Sequence, residues 1–492
     1  MNRWILYPLL VFFFSLGFFG CRVHQKVNLS KPTVSIPCKY HQLEKDGAVE
    51  PGEWWKEFGS ADLNAVVDAV LRNNLNLKSS WWKVVQACAQ TRVRGAELWP
   101  EIITTPGILY TMRSGGLGGA AAIETGGGEI PAGTPTTGFA ETRMGTFYLL
   151  SNSLTYEVDL WRRVCSGVQA SYQEMWATRE DLEATALTLT GTVVDLWFTI
   201  QEQEKLLEVI DHQIKVSETL LELIELRFSL GVSSSLDVYQ QRLQLAAARS
   251  EKPPVQSLLQ TSENQMRVLM GAAPDDCHFA VKEGLVPLPP FPTIGNPMAL
   301  LKHRPDLRAQ HRRLQAADYE VASAIADLFP RLDLSIAYDF QGKSIKDIFD
   351  EKLSLILAEL LTPIFDGGRR RAEVRFRKAV VCDLLSEYGQ QFLNALLEVE
   401  DALVQEREQL KLIEILEKEI KIAKANVDQS RFQYINGLID YLNVIVAIQS
   451  LQDLERRIVT EKKQLLLFRS KLYRALGGYY LTHWGPCRIS CR

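Results

Sequence analysis

Apolar residues recur along two stretches of this chain in steps of four and three. Leu182, Ala186, Leu189, Val193, Leu196, Ile200, Leu207, Ile210, Ile214, Leu221, Ile224 and Phe228 form one seam, interrupted only at Gln203 and Ser217. A second runs 206 residues later from Tyr388 through Phe392, Val399, Ile413, Leu416, Ile420 and Val427 to Tyr434, with Glu406, Gln409 and Ser430 as polar breaks. A seven-residue repeat held over so many turns predicts helices that supercoil on neighbours. With its flanks each helix spans about 65 residues, on the order of 100 Å at 1.5 Å per residue. Such a rod is too long for one globular domain. Each seam stops at a glycine, Gly231 or Gly437, the residue that best tolerates the left-handed turn at a helix end. Leu236 to about Gly271 and Leu442 to about Gly477 then predict antiparallel return helices, making two hairpins. A generic coiled coil shares this pattern.

Strands carry a different period. In Leu332–Phe340 every even residue is apolar, and Leu150, Leu154, Tyr156 and Val158 alternate with Ser151, Ser153, Thr155 and Glu157, Asn152 being the flaw. Ile102–Met112 and Leu353–Phe365 are weaker candidates, since prolines intrude and the second is almost wholly apolar. Four strands of about 9 to 11 residues with one apolar side fit a membrane-spanning barrel wall with a wet interior. Half-buried strands of a soluble sheet would look alike, but here they alternate with rods.

The chain is duplicated. The glycines of Arg227-Phe228-Ser229-Leu230-Gly231-Val232 and Gln433-Tyr434-Ile435-Asn436-Gly437-Leu438 lie 206 residues apart, as do Asp159-Leu160-Trp161-Arg162-Arg163 and Phe365-Asp366-Gly367-Gly368-Arg369. Leu98-Trp99-Pro100 precedes Leu328-Phe329-Pro330 by 230. The 24-residue excess of the first copy falls in the glycine-rich stretch Ser114 to Gly138, which reads as a long loop. The expected organisation is a signal peptide over 1–20, an extended, lipid-anchored segment over 21–60, a first repeat over 61–275, a Pro-rich linker over 276–296, a second repeat over 297–478 and a tail over 479–492. The first repeat holds helices near 76–98, 163–230 and 235–270 and strands near 102–112 and 144–160. The second holds helices near 306–328, 369–435 and 441–476 and strands near 332–341 and 352–365.

The N-terminus gives a compartment. Arg3, the apolar run Trp4 to Phe19 and then Gly20-Cys21 read as a secretory signal. Phe18-Phe19-Gly20-Cys21 resembles a bacterial lipoprotein processing site, with Cys21 as the lipid attachment point. The alternative is an uncleaved anchor helix. No later segment has 18 consecutive apolar residues, so any further crossing must use strands. Lys plus Arg total 55 against 59 Asp plus Glu, which gives no reason to expect nucleic acid. Eight scattered cysteines show no disulfide framework, and most read as buried or free thiols. His483, Cys487 and Cys491 recur every four residues, but Gly485 and Pro486 interrupt the helix that would align them for a metal, so a C-terminal disulfide or free thiols are the readings there. No HExxH, GxSxG or phosphate loop is present, so no catalytic residue, metal or cofactor is expected.

In this order of strand pair and helical hairpin, the chain resembles the TolC-like outer-membrane efflux family, especially its lipoprotein branch. The resemblance rests on Asp306-Leu307-Arg308, Leu328-Phe329-Pro330, Pro363 through Arg369 and Tyr434-Ile435-Asn436-Gly437-Leu438, with first-half counterparts at Asn76, Pro100, Asp159 and Gly231. It covers about residues 55 to 478. Arg162 stands where the family has glycine, which predicts a differently bent entry to the first long helix. The fold class implied is mainly α with a transmembrane β-barrel: three protomers giving four strands each to a 12-stranded barrel and six helical segments each to a periplasmic tunnel. Elementary physics agrees, since four strands cannot close and open edges in lipid leave backbone groups unsatisfied.

The function implied is passive export of small molecules through the outer membrane. An inner-membrane pump supplies the energy and a periplasmic adaptor docks the hairpin tips, Gly231-Val232-Ser233 and Gly437-Leu438-Ile439. Asp237 and Asp440 lie beside those tips and Arg227 and Arg431 nearby, so a threefold carboxylate ring held shut by arginines is one reading and solvated helix caps are the other. A periplasmic adaptor lipoprotein with coiled-coil hairpins is the competing function.

Overall fold

The computed structural model describes residues 52–111, 145–274, 284–292 and 294–477, together with His24, Pro37, Tyr40 and His41. Cys21, the glycine-rich loop and the C-terminal cysteines lie outside the described residues. The first repeat contains α1 (Ala61–Asn73), α2 (Leu75–Ala96), β1 (Glu101–Thr111), β2 (Gly145–Val158), α3 (Arg163–Ser229), α4 (Ser235–Ser250) and α5 (Lys252–Leu269). The second contains α6 (Leu300–His303), α7 (Pro305–Ala326), β3 (Arg331–Gly342), β4 (Glu351–Leu361), α8 (Arg369–Ile435) and α9 (Tyr441–Leu476). Both long helices have 67 residues, so each extends on the order of 100 Å.

The seams place the core. Leu182, Ala186, Val193, Ile200, Ile210 and Ile224 of α3 are buried, as are Tyr388, Phe392, Val399, Leu416 and Val427 of α8. α3 packs against α2, α4, α5, α7 and α9, and α8 packs against α7 and α9. The polar breaks are buried as well. Glu406 and Arg469 form an ion pair at 2.5 Å with side chains only 3% and 2% exposed, and Gln409 donates to Glu461. Arg469 also donates to the carbonyls of Pro289 and Pro290, which fastens the linker between the repeats to α9.

The four strands form one antiparallel sheet in the order β1-β2-β3-β4, leaving β1 and β4 as open edges. Its register aligns Ile102, Leu154, Ile336 and Ile356 across one face and Glu157, Asp333 and Glu359 across the other. The polar face is less polar than the alternation of β2 and β3 suggests, because Leu353, Leu355 and Leu357 of β4 fall in its rows.

The structure corrects five expectations. The return helix over 235–270 is broken at Glu251 into α4 and α5, because Pro253 and Pro254 lack N–H donors and their rings clash with a preceding turn, so they sit in the first turn of α5. The segment over 21–60 is not extended throughout: Trp54–Phe58 is a 3-10 helix whose Trp54 stacks on Tyr473 and whose Phe58 meets Phe198 edge-on at 5.0 Å. The strand expected over 352–365 stops at Leu361. Arg162 itself does not differ from its counterpart, since it takes φ 61° and ψ 32°, in the same left-handed region as Gly368 at φ 86° and ψ 8°; the joints differ one residue earlier, where Gly367 takes φ 65° and Trp161 has no positive φ. Finally Cys88, buried on α2, is disulfide-bonded, whereas Cys165 and Cys382 are free thiols.

Candidate functional site

Both hairpin tips close by the same local chemistry. Gly231 and Gly437 take φ 73° and 72°. The N–H of Val232 donates to the Arg227 carbonyl and that of Gly231 to the Phe228 carbonyl, while Leu438 and Gly437 repeat this pattern on Gln433 and Tyr434. These paired bonds satisfy the last carbonyls of α3 and α8 and turn the chain back within a few residues. The turns expose apolar side chains, with Val232 62% and Leu438 70% exposed. Leu230, Leu236 and Leu442 extend that exposed surface.

The two tips are joined by polar groups above a small apolar core of Ile224, Val238, Val427, Val444, Ile445 and Ile448. The Tyr434 hydroxyl of α8 donates to Asp237 at 3.2 Å and lies 2.8 Å from the Ser233 hydroxyl. The Arg227 guanidinium sits 5.1 Å from the centre of the Tyr434 ring, a cation-π contact between the hairpins. Tyr441 donates to Gln241 at 2.7 Å, and burial pushes its hydroxyl pKa up. Farther along, Gln449 donates to Gln244, which donates to Gln452, and Arg456 donates to Gln213. The facing surfaces of the hairpins are therefore stitched by side-chain amides.

The four charged candidates separate in role. Asp237 is committed: it forms a capping box with Ser234 at the start of α4 and accepts from Tyr434. Asp440 is the N-cap of α9, the position that Ser234 holds before α4, while Asn443 matches Asp237; Asp440 is exposed and its carboxylate makes no capping bond. Among the described residues no ion pair joins Asp237 or Asp440 to Arg227 or Arg431. Arg227 is engaged with Tyr434 instead, and the Nε of Arg431 is buried without a hydrogen-bond partner. Tyr434 and Tyr441 escaped sequence reasoning because both register as apolar; their spacing across the Gly437 turn is the signal that pairs them.

At the opposite end the strands pass into the long helices through charged joints. Glu157 accepts two bonds from Arg163, at 2.9 and 2.5 Å, and Arg331 pairs with Asp333 at 2.9 Å. Trp161 stacks on Phe329 and donates to the Pro330 carbonyl at 2.7 Å. Asp366 accepts from the N–H groups of Gly368 and Arg370 at the start of α8, which holds its carboxyl below the usual range. No described helix is long and apolar enough to cross a membrane.

The comparisons with known proteins agree with this architecture. The family model described as outer membrane efflux protein matches residues 66–272 and 296–478. The pyoverdine export outer membrane protein OpmQ of Pseudomonas putida is 26% identical over 437 residues, covering 88% of this chain and 89% of its own. The outer membrane protein OprJ of Pseudomonas aeruginosa is 27% identical, covering 88% of each chain. The outer-membrane channel OprN superposes with a TM-score of 0.80 at 23% identity, covering 95% of this chain and 100% of its own. The CmeC outer membrane channel of Campylobacter jejuni gives a TM-score of 0.79 at 20% identity, covering 93% and 95%. These matches set aside the periplasmic adaptor as an alternative, and they place the chain in the outer membrane efflux protein family.

Proposed function

We propose that three copies of this chain form one passive duct through the outer membrane, through which small molecules delivered by an inner-membrane pump leave the cell. The observation that carries this reading is the sheet: four strands, one apolar face and two open edges, continuous with two rods of about 100 Å. Open edges in lipid leave backbone groups unpaired, and closure by further copies removes them. The chain does no chemistry; its work is to provide a wall. Cargo follows the pump, and relatives named for pyoverdine, toluene and antibiotic export make small organic molecules the class to test first.

Cys21 is the lipid attachment point in this reading. Two fixed points on the N-terminal segment support it. Tyr40 is buried beside the α8 carboxylate Glu400, to which the His41 N–H donates, whereas His24 meets Asp318 at 2.8 Å, farther along α7 toward the strands. His24 thus lies nearer the sheet end of the molecule than Tyr40 and His41 do.

Gly231-Val232-Ser233 and Gly437-Leu438-Ile439 dock the adaptor through the apolar side chains at the turns, and Asp440 contributes the ring of carboxylates at the closed mouth. The Tyr434 links to Asp237 and Ser233 hold the mouth shut at rest. Reconstitution in planar bilayers tests the reading. The purified protein is expected to be a detergent-requiring trimer that conducts ions, and Asp440→Lys is expected to reverse or abolish its preference for cations. A protein that stays monomeric in detergent-free buffer and gives no channels overturns it.

A further inference from the structure

The duplication fixes how one copy joins the next. Within the chain, β1 and β2 pair with Glu101 opposite Thr155. Moving each residue forward by its own repeat offset, 230 for β1 and 206 for β2, gives Arg331 and Leu361, and these are opposite one another between β3 and β4. The two offsets read from the sequence therefore hold to the residue inside the sheet. The remaining intramolecular seam, β2 against β3, pairs Val158 with Leu332 and Thr155 with Ser335. Its counterpart must join β4 of one copy to β1 of another, because those are the sheet's two open edges.

We infer that β4 pairs antiparallel with β1 of the adjacent copy in the register that places Ile364 opposite Ile102 and Leu361 opposite Thr105. This rests on the reading that copies of the chain share one barrel. A second observation points the same way. β2 continues to Val158, which is 5% exposed, whereas β4 stops at Leu361, and Ile364, the position equivalent to Val158, is 94% exposed. Two differences separate them: Val158 has Leu332 of β3 beside it, and Ile364 follows Pro363 where Val158 follows Glu157. Phe365 is 91% exposed and Ile102 70%, so apolar residues crowd both edges of the seam. In the assembled wall β4 lengthens to Ile364, as β2 does to Val158, and these side chains are covered. Pro106 within β1 and Pro363 within the lengthened part of β4 each remove at most one donor from this ladder.

Residues directly opposite in an antiparallel pair have Cβ atoms about 4.5–5.5 Å apart, and diagonal neighbours are about 7–8 Å apart, so oxidation to a disulfide discriminates the register. Two matched pairs, Ile102→Cys with Ile364→Cys and Thr105→Cys with Leu361→Cys, are introduced separately into the full-length protein and oxidised in membranes. Two shifted pairs, Ile102→Cys with Thr362→Cys and Thr105→Cys with Glu359→Cys, serve as comparisons. Matched pairs are expected to yield a covalent trimer on non-reducing gels as the main species, and shifted pairs little. Preferential cross-linking of the shifted pairs overturns the register and leaves the shared barrel standing. Absence of intermolecular products from all four, with matched variants that fold and reach the outer membrane, overturns the shared barrel and the register with it.

Discussion

Glu406 breaks the apolar seam of α8, and the structure shows what the break is for. Its carboxylate and the Arg469 guanidinium are both almost fully buried, and the arginine reaches on to two proline carbonyls of the linker. Removing one partner leaves a buried charge uncompensated. Glu406→Ala is expected to destabilise the protein by about 3–5 kcal/mol, measurable as a lowered denaturation midpoint in detergent, and Glu406→Leu with Arg469→Met should recover most of that loss. The heptad reading identified residue 406 as an inward position. It could not name the partner, because Arg469 and the linker lie 63 and more residues away and burial follows from their meeting. A second local case is the strand-to-helix joint. Arg162 and Gly368 share the left-handed conformation, which costs a side-chain-bearing residue about 1–2 kcal/mol. Gly368→Ala should therefore lower the melting temperature and Arg162→Gly should raise it, and a fall in the second variant would mean that the Arg162 side chain contributes more than its backbone strain removes.

Period and offset made the rods, the strands and the duplication legible, because helix and strand impose different spacings and a repeat preserves them. What the pattern missed had a weaker or a competing signal. Leu63, Val66, Val67 and Val70 of α1 keep helical spacing behind the Ser60 cap, but 13 residues at the start of the first repeat give a far shorter pattern than the 67-residue rods. The break between α4 and α5 follows from Pro253-Pro254, whereas α9 contains no proline and runs uninterrupted. Helix α8 also carries an electrostatic device at its start. Asp366 accepts from the Gly368 and Arg370 N–H groups and from the Arg370 side chain, so its folded-state pKa lies below the unfolded value. Such a group stabilises the fold above the ordinary carboxylate range of about 4 and loses that contribution as pH falls through its folded value. The gap in melting temperature between wild type and Asp366→Asn should be present at pH 7 and shrink below about pH 4; a gap independent of pH would assign the effect to shape rather than charge.

The long rods give the molecule leverage, since a small change where the hairpins meet is carried along helices that end at the proposed mouth. The sequence located both tips through Gly231 and Gly437, and left the charged residues beside them open between an arginine-held carboxylate ring and solvated helix caps. In the proposed closure a tyrosine joins the two hairpins. Tyr434 binds Ser233 and Asp237 through its hydroxyl and Arg227 through its ring, so one residue of the second hairpin engages three of the first. A hydrogen bond to a charged group is worth about 1.5–3 kcal/mol, and 1.4 kcal/mol is a factor of about ten in an equilibrium. Tyr434→Phe keeps the ring and its contact with Arg227 while deleting the hydroxyl. If the closed mouth depends on that bond, the variant should show a higher open fraction in planar bilayers, by about tenfold or more for each chain released. Asp237→Asn should move conductance the same way by a smaller amount, because an amide still accepts a hydrogen bond from the tyrosine. Tyr239, 67% exposed on the first hairpin, supplies the control: Tyr239→Phe should leave conductance unchanged. Equal open fractions for Tyr434→Phe and wild type would remove the tyrosine from the closure and leave Asp440 as the remaining candidate, since its carboxylate caps nothing and faces solvent.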